Sequence, residues 1–299
     1  MSEHQLKYLL LSAVLLGIVI KRNFNDFYIY QCRKINLGSI GDNYYIGSKR
    51  IKQIRESLDS KLKLEHSDKR VMENVEKFIN NYTKDELLLL RKNIQNLIIS
   101  DEKIKDEYST GIYDLENNLI IANDFSFNHE MHHAASTLGI IDGVMISGFM
   151  QDKEINGKSQ GIGMGLNEGY TEYLSIKQVK NDNIYYERVV SLIPLIELFF
   201  DSEIELRNHY FNADLESVIT KFSPICSKKE AINLIKDIDM LNFYDVFRTW
   251  FDKSDIIELS IRLRLLEYYE KLSGNKNSKE IFLPGIMADN LTKAKKLII

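Results

Sequence analysis

The run His129-Glu130-Met131-His132-His133 places three of the six histidines of this 299-residue chain within five positions. It satisfies the pattern H-E-x-x-H. On a helix, His129 and His133 lie one turn apart on the same face, so both imidazoles can reach one metal ion. A third protein ligand has to come from another element, so the chain needs a fold that packs a second element against this helix.

The donor types in this run indicate a zinc site with a catalytic base. Zinc suits imidazoles combined with a carboxylate, with one coordination position left for water. Glu130 follows the first ligand and is expected to take the proton of that water, which the metal acidifies. His132 could pair with His129 at i, i+3, but this pair leaves no standard place for the base. We therefore expect His132 to support a ligand or to face solvent.

A third ligand is available in residues 165–174, which read GLNEGYTEYL. Glu168 and Glu172 are four residues apart and would share one face of a helix. One carboxylate can coordinate the metal while the other accepts the ring N–H of a ligating histidine. Spacing alone does not decide which of the two carboxylates is the ligand.

HEMHH followed by LNEGYTEYL resembles the motifs of the gluzincin metallopeptidases, zincins whose third zinc ligand is a glutamate from a following helix. The resemblance covers roughly residues 108–180. It implies that His129, His133 and Glu168 hold one zinc ion, and that Glu172 supports a zinc-binding histidine. It also implies a small sheet ahead of the active-site helix, with an edge strand that holds extended substrate.

The resemblance extends to single neighbours of the glutamate ligand. The order Asn167-Glu168-Gly169 matches the Asn-Glu-(Gly/Ala) motif, with Asn167 as a supporting residue at the start of the helix. Gly169 is expected to leave room for close approach to the helix of the histidines. Zincins often use a Tyr or His near the metal to stabilise the developing oxyanion, and Tyr170 is our first catalytic candidate of this kind. The other candidates are Tyr173 and His209.

The hydrophobic pattern predicts an α+β fold that is predominantly helical. Short β-type runs at 109–115 and 119–122 predict a hairpin. A helix is expected from 126 to 138, with Gly139 as its stop. A second hairpin, predicted for 144–165 with a polar tip at 152–157, fills the 34 residues between the two motifs.

Together with the resemblance, this pattern divides the chain into four parts. They are an N-terminal apolar helix with its connector, a helical segment, a zincin-like catalytic core and a C-terminal helical domain, which cover 1–47, 48–107, 108–180 and 181–299.

Charge and cysteine content exclude several classes of protein. The formal net charge is −4 and no basic block is present, so we expect no nucleic-acid partner. The two cysteines, Cys32 and Cys226, form neither a disulfide scaffold nor a cysteine-rich zinc site.

Residues 8–20 are apolar, but a membrane crossing needs about 20 such residues. Two interpretations stay open, a membrane anchor or a buried helix. The corresponding locations are the cytoplasm or a membrane with the catalytic domain on the cytoplasmic side.

The sequence therefore predicts a zinc metallopeptidase that acts on a peptide or protein substrate. The alternative is a non-catalytic zinc-binding or scaffold protein on a zincin fold. Glu130 favours the enzyme, because a structural zinc site has no use for a base and normally closes all four coordination positions. A third interpretation, a helical membrane-associated protein with incidental ligands, predicts a purified protein without metal. No pattern indicates the oligomeric state.

Overall fold

The computed structural model describes residues 40–100, 111–179, 186–246 and 251–274 of the chain. Helices predominate over two small sheets, which confirms the predicted mixed α and β architecture. The helices are α1 (Ser48–Glu56), α2 (Lys69–Asn81), α3 (Leu88–Asn93), α4 (Phe127–Ser136), α5 (Met164–Val179), α6 (Glu187–Val190), α7 (Ile193–Glu197), α8 (Glu203–Phe211), α9 (Leu215–Lys221), α10 (Lys228–Val246) and α11 (Phe251–Ser273). The strands are β1 (Ile98–Ser100), β2 (Gly111–Asp114), β3 (Leu119–Ala122), β4 (Thr137–Ile141), β5 (Val144–Ser147), β6 (Met150–Ile155) and β7 (Lys158–Ile162).

The apolar segment 8–20, for which a membrane anchor and a buried helix are both open interpretations, lies outside the described residues. Within the described ranges, no helix combines the length and apolar character that a membrane crossing requires. Both interpretations of residues 8–20 therefore stay predictions.

The first sheet has three strands in the order β1-β3-β2. The antiparallel pair of β2 and β3 is the predicted hairpin, with Tyr113 opposite Ile120. β1 joins β3 in parallel, with Ile99 opposite Ile120. The sequence did not indicate β1, because three residues at the end of a helical region are too few to show a period of two.

The second sheet is an antiparallel meander in the order β4-β5-β6-β7. The prediction of a single hairpin over 144–165 was wrong. The chain already turns back at Gly148, between β5 and β6, and a further strand, β4, precedes β5. The tip is also shorter than predicted: β6 continues to Ile155, and Asn156 and Gly157, both with positive φ, make the turn to β7.

Helix α4, which carries the H-E-x-x-H motif, ends earlier than predicted, and Gly139 is not the residue that ends it. The chain passes directly from Ser136 into β4, and Gly139, at φ +109°, lies at an irregular point in the pairing of β4. The side chain of the buried Asn93 donates to the carbonyl of Ala134 at 2.8 Å and to that of Thr137 at 2.7 Å. These bonds satisfy carbonyls that the end of the helix leaves without intrahelical partners.

The main hydrophobic core surrounds α4 and includes buried residues of α2, α5, α8, α10 and α11. Met131, Ala134 and Ala135 of α4 are completely buried in it. The core therefore draws on three of the four predicted parts of the chain, namely 48–107, 108–180 and 181–299.

The start of α5 is fixed by a buried carboxylate of α10. Asp239 accepts hydrogen bonds from the N–H groups of Gly163 and Gly165, each at 2.8 Å. Burial raises the pKa of Asp239 to about 7, although both N–H donors act in the opposite direction. A Cβ at Gly165 would lie 2.4 Å from the carbonyl oxygen of Ile238, so a glycine is needed there. As a result α5 begins at Met164, earlier than its predicted start at Asn167.

Runs of the form S/T-x-x-E at 83–86 and 227–230 predict capping boxes, and both capping boxes form. Thr83 and Glu86 exchange backbone-to-side-chain hydrogen bonds of 2.7 and 3.3 Å in the turn before α3. Ser227 and Glu230 do the same at 2.8 and 3.3 Å at the start of α10.

We predict that Asn93→Ala destabilises the protein by about 2–4 kcal/mol, because two buried carbonyls at the end of α4 lose their donor. Urea unfolding followed by circular dichroism measures this free energy. The control is Asn81→Ala, which removes an exposed side chain that bonds only within its own helix and should change the free energy by less than about 0.5 kcal/mol. Equal effects of the two substitutions would contradict the assigned role of Asn93.

Candidate metal centre

Three side chains of α4 and α5 converge on one point. The Nε2 atoms of His129 and His133 are 3.0 Å apart, and Oε2 of Glu168 lies 3.4 Å from each of them. In the described part of the chain these three residues form a group that could hold a metal ion. The structure thus brings together the three residues that the sequence predicted as ligands.

The spacing of the three atoms suits zinc. A tetrahedral ion with bonds of about 2.0–2.1 Å has ligand atoms roughly 3.3–3.4 Å apart. The three observed distances, 3.0, 3.4 and 3.4 Å, are close to this value. Two imidazoles and one carboxylate are also a donor set that zinc prefers, and a fourth position is left for a water molecule.

The second acid of α5 lies behind the first histidine. Glu172 is 4% exposed, and its Oε2 accepts a hydrogen bond from Nδ1 of His129 at 2.8 Å. This bond fixes the orientation of the ring and turns its Nε2 toward Glu168. The geometry matches the supporting role predicted for Glu172, and it makes Glu168 the carboxylate that faces the histidine pair.

Asn167 links the ligand helix to the second sheet. Its Oδ1 accepts the N–H of Phe149 at 3.1 Å, and its Nδ2 lies 3.3 Å from Nδ1 of His133. The side chain is 1% exposed. Asn167 therefore contacts the second histidine from the side opposite to the ligand atoms, as a supporting residue would.

The surrounding carboxylates favour a positive charge at the centre of the site. Burial alone would lower the pKa of His129, but Glu168 and Glu172 raise it to about 10. Burial would raise the pKa of Glu168, yet the imidazoles of His133 and His129 hold it well below its usual range. In both cases the neighbouring opposite charge outweighs desolvation, so the site is electrostatically suited to a cation.

Glu130 lies beside the ligands and is 6% exposed. Burial raises its pKa, while His129 and His133 lower it, and the backbone N–H of Tyr113 on β2 also acts to lower it by donating to the carboxylate. A Cβ at Gly111 would lie 2.5 Å from Oε1 of Glu130, so β2 can pass this close only with a glycine there. The carboxylate is thereby held between the histidine pair and the edge of the first sheet.

His132 faces away from the metal group. It is completely buried, which excludes the solvent-facing one of the two roles predicted for it. Its Nδ1 contacts the carbonyl of Asn128 and its Nε2 contacts the hydroxyl of Tyr82, both at 2.8 Å, while its ring packs on Phe78. Burial lowers its pKa to about 3, which makes it a neutral residue that joins α4 to α2.

Tyr170 does not line the cavity at the metal group. It is 1% exposed and packs on Phe149 and Tyr210 in the core. Tyr173 likewise bonds elsewhere, to Glu197 at 3.0 Å, and the ring of His209 packs near Phe200. The structure therefore does not bring any of the three predicted oxyanion candidates to the site.

The ring of Tyr186, a residue that the sequence analysis missed, lies at the metal group. It stacks on the ring of His129 with centroids 5.7 Å apart, and the hydroxyl of Tyr186 donates to the Glu168 carboxylate. The negative charge of Glu168, followed by burial, raises the pKa of Tyr186 well above its usual range. The hydroxyl therefore keeps its proton at neutral pH.

Gly169 explains how Tyr186 reaches this place. A Cβ at Gly169 would lie 2.4 Å from Cγ1 of Val189 on α6. The expectation that Gly169 makes room for α4 was wrong, because it makes room for α6, which begins directly after Tyr186. The sequence offered one signal, a glycine within a predicted helix, which indicates that another element packs closely there. No periodic pattern indicated Tyr186 itself.

The group opens into a cavity of about 980 Å³. Glu130, His129, His133, Glu168 and Tyr186 all line it, together with β2 and one face of the second sheet. This volume is at the upper end of the range for ligand sites, and a cavity of this size can hold several residues of an extended peptide.

Comparisons of the chain with protein-family models, with curated proteins and with solved structures found no match. The interpretation of the centre therefore depends on the positions and chemistry of its own residues.

Proposed function

We propose that the protein is a zinc-dependent metallopeptidase that hydrolyses peptide bonds with Glu130 as the general base. The observation that carries this proposal is the convergence of His129, His133 and Glu168 within 3.4 Å of one another, with Glu130 beside them at the wall of a cavity. A zinc ion held by these three residues supplies a Lewis acid that acidifies a water molecule and polarises the peptide carbonyl.

Glu130 has the position and environment that a base requires. Its burial favours the protonated form and the nearby imidazoles favour the ionised form, so the carboxylate can both accept and return a proton. In the proposed reaction it takes a proton from the attacking water and delivers it to the amide nitrogen that leaves. The C–O bond forms first, which makes the carbonyl oxygen negative, and the C–N bond then breaks as the nitrogen receives the proton, so water is the only further reactant.

Tyr186 is the candidate for stabilising charge on the carbonyl oxygen. Its protonated hydroxyl lies at the cavity wall beside Glu168, and its ring is held against His129. A hydroxyl donor fixed at this place can donate to an oxygen that becomes negative during the attack.

Strand β2 supports the binding of an extended substrate. It lies at one edge of the first sheet in the described residues, and its residues line the cavity. An edge strand offers backbone N–H and C=O groups to an added strand, which is a common mode of peptide recognition. The same strand contacts Glu130, so a peptide paired with β2 would pass directly beside the base.

Glu130→Gln should lower peptide hydrolysis by about 10²–10⁴-fold while the zinc content stays near that of the wild type, because the change removes a proton acceptor and no ligand. Cleavage of a casein or peptide-library substrate and metal analysis of the same preparation measure both quantities. Glu154→Gln, an exposed acid on β6 outside the cavity, is the control. Near-normal hydrolysis by Glu130→Gln would overturn the mechanism. Zinc retention without hydrolysis in the wild type would favour the scaffold alternative.

Glu168→Ala should purify with little or no zinc, whereas Glu172→Ala should retain zinc and bind it about 10–100-fold more weakly, because it loses only the orientation of His129. Competition with a chelating dye measures both affinities, with Glu154→Ala as the matched control. The reverse order would make Glu172 the ligand, and full zinc retention by both variants would mean that the third ligand lies elsewhere.

Tyr186→Phe should lower kcat by about 10²–10³-fold with little change in KM or zinc content, since the hydroxyl would act only on the developing charge. Tyr170→Phe is the matched control and should keep near wild-type kinetics, because its ring lies in the core. If Tyr170→Phe lost the activity and Tyr186→Phe kept it, the sequence-based candidate would replace the structural one.

A further inference from the structure

One face of the second sheet forms a wall of the cavity. The lining residues alternate along its strands and are paired across them: Met145 lies opposite Asp152, Ser147 opposite Met150, and Asp152 opposite Gly161. The intervening residues Ile146, Gln151 and Ile162 are completely buried on the opposite face. The 34 residues between the two motifs therefore do more than connect the ligands, since they build part of the surface that a substrate would contact.

Four methionines line this cavity. Met145 and Met150 lie on the sheet, Met164 is the first residue of α5, and Met240 lies on α10. Met145 and Met150 are half-buried and Met164 is 40% exposed, so their thioether side chains are accessible at the cavity surface. Methionine is flexible and polarisable, and a surface built from it adapts to apolar groups of different shapes.

Apart from the two histidines of the metal group, the charged lining residues of the cavity are acidic. In the described part of the chain its lining includes six carboxylates and no lysine or arginine; the six are Asp114, Glu116, Glu130, Asp152, Glu168 and Asp239. Asp152 lies in the same wall as the methionines, with Oδ2 accepting from Ser159 at 2.6 Å and Oδ1 buried without a hydrogen-bond partner. An acidic side chain placed at this wall would meet like charge and find no cationic partner in it.

We propose that the wall formed by Met145, Met150, Met164 and Met240 (the methionine wall) binds a large apolar side chain of the peptide and rejects an acidic one. This inference rests on the proposed peptidase function and deepens it, because it assigns substrate selection to the sheet inserted between the ligand motifs together with the start of α5 and one residue of α10. Burial of an apolar side chain against the wall stabilises the complex in proportion to the area removed from water. A glutamate there loses its hydration and gains no ion pair.

The test uses short internally quenched peptides in which each position around the cleaved bond is in turn Leu, Met, Phe, Lys or Glu. With the zinc-loaded wild type, we expect one position at which Leu, Met and Phe exceed Glu by at least about tenfold in kcat/KM. A ratio of Leu to Glu near one at every position would overturn the inference.

Met150→Lys should assign this preference to the wall. It places a cation within the apolar surface. The ratio of kcat/KM for the Glu peptide to that for the Leu peptide should therefore rise by at least about tenfold at that one position. Glu154→Gln changes the net charge by the same amount on the same strand, but its exposed side chain lies outside the cavity, and its profile should match the wild type. Identical profiles of the two variants would exclude the wall as the cause. Met164→Lys, at an exposed position, serves if Met150→Lys does not fold.

A binding measurement separates the inference from the proposed function. Zinc-loaded Glu130→Gln is titrated with the same peptides, and fluorescence polarisation is expected to show that the Leu peptide binds at least about tenfold more tightly than the Glu peptide. If the Leu peptide binds more tightly but the wild type hydrolyses none of the peptides, the peptidase function is excluded and the binding role of the methionine wall is retained. If the wild type hydrolyses the peptides but does not distinguish Leu from Glu, the binding role of the methionine wall is excluded and the peptidase function is retained.

Discussion

The complete burial of a polar helix is the constraint on which the rest of the structure depends. All ten residues of α4 are buried, although they include three histidines, a glutamate and an asparagine. A buried polar group without a partner costs more than a typical hydrogen bond contributes, so each of these side chains requires a group placed to meet it. The pairs are Asn128 with Ser175, His129 with Glu172, His132 with Tyr82, and His133 with Asn167. Three of these partners lie on α5, which explains why α4 and α5 are packed face to face.

The features that the sequence predicted correctly are those in which neighbouring residues act on one another. The i, i+4 spacing of His129 and His133 placed both rings on one side of a helix, and the same spacing placed Glu168 and Glu172 on one side of the next. The two capping boxes and the hairpin of β2 and β3 are also local, since their hydrogen bonds join residues close in the chain. Such patterns can be read without knowledge of the packing.

The features that the sequence did not predict depend on residues far apart in the chain. Asn93 ends α4 from 41 positions away, and no property of the helix itself indicates this donor. Gly139 was expected to stop the helix, but its positive φ is used within a strand. Tyr186 reaches the ligands because α6 packs on Gly169, a contact between two helices that periodicity does not encode. Local sequence thus specifies which helix faces carry the ligands, and tertiary contacts specify what surrounds them.

The metal group connects the stability of this fold with its proposed chemistry. Two ring nitrogens and a carboxylate oxygen within 3.4 Å of one another present lone pairs to a common point, an arrangement that is unfavourable unless a proton or a cation lies between them. Bonds further out, from Glu172 to His129 and from Asp239 to the start of α5, hold the three side chains of the proposed metal site in this arrangement. Preorganisation of this kind transfers the cost of orienting the ligands from the binding step to folding, where the large core around α4 offsets it. The second sheet adds to the same effect, since the turn between β5 and β6 holds Asn167 through Phe149, and the cavity face of the sheet carries Met145 and Met150 of the methionine wall. A change in this sheet is therefore expected to act on ligand geometry and substrate contact together, unless it is confined to side chains of the cavity face.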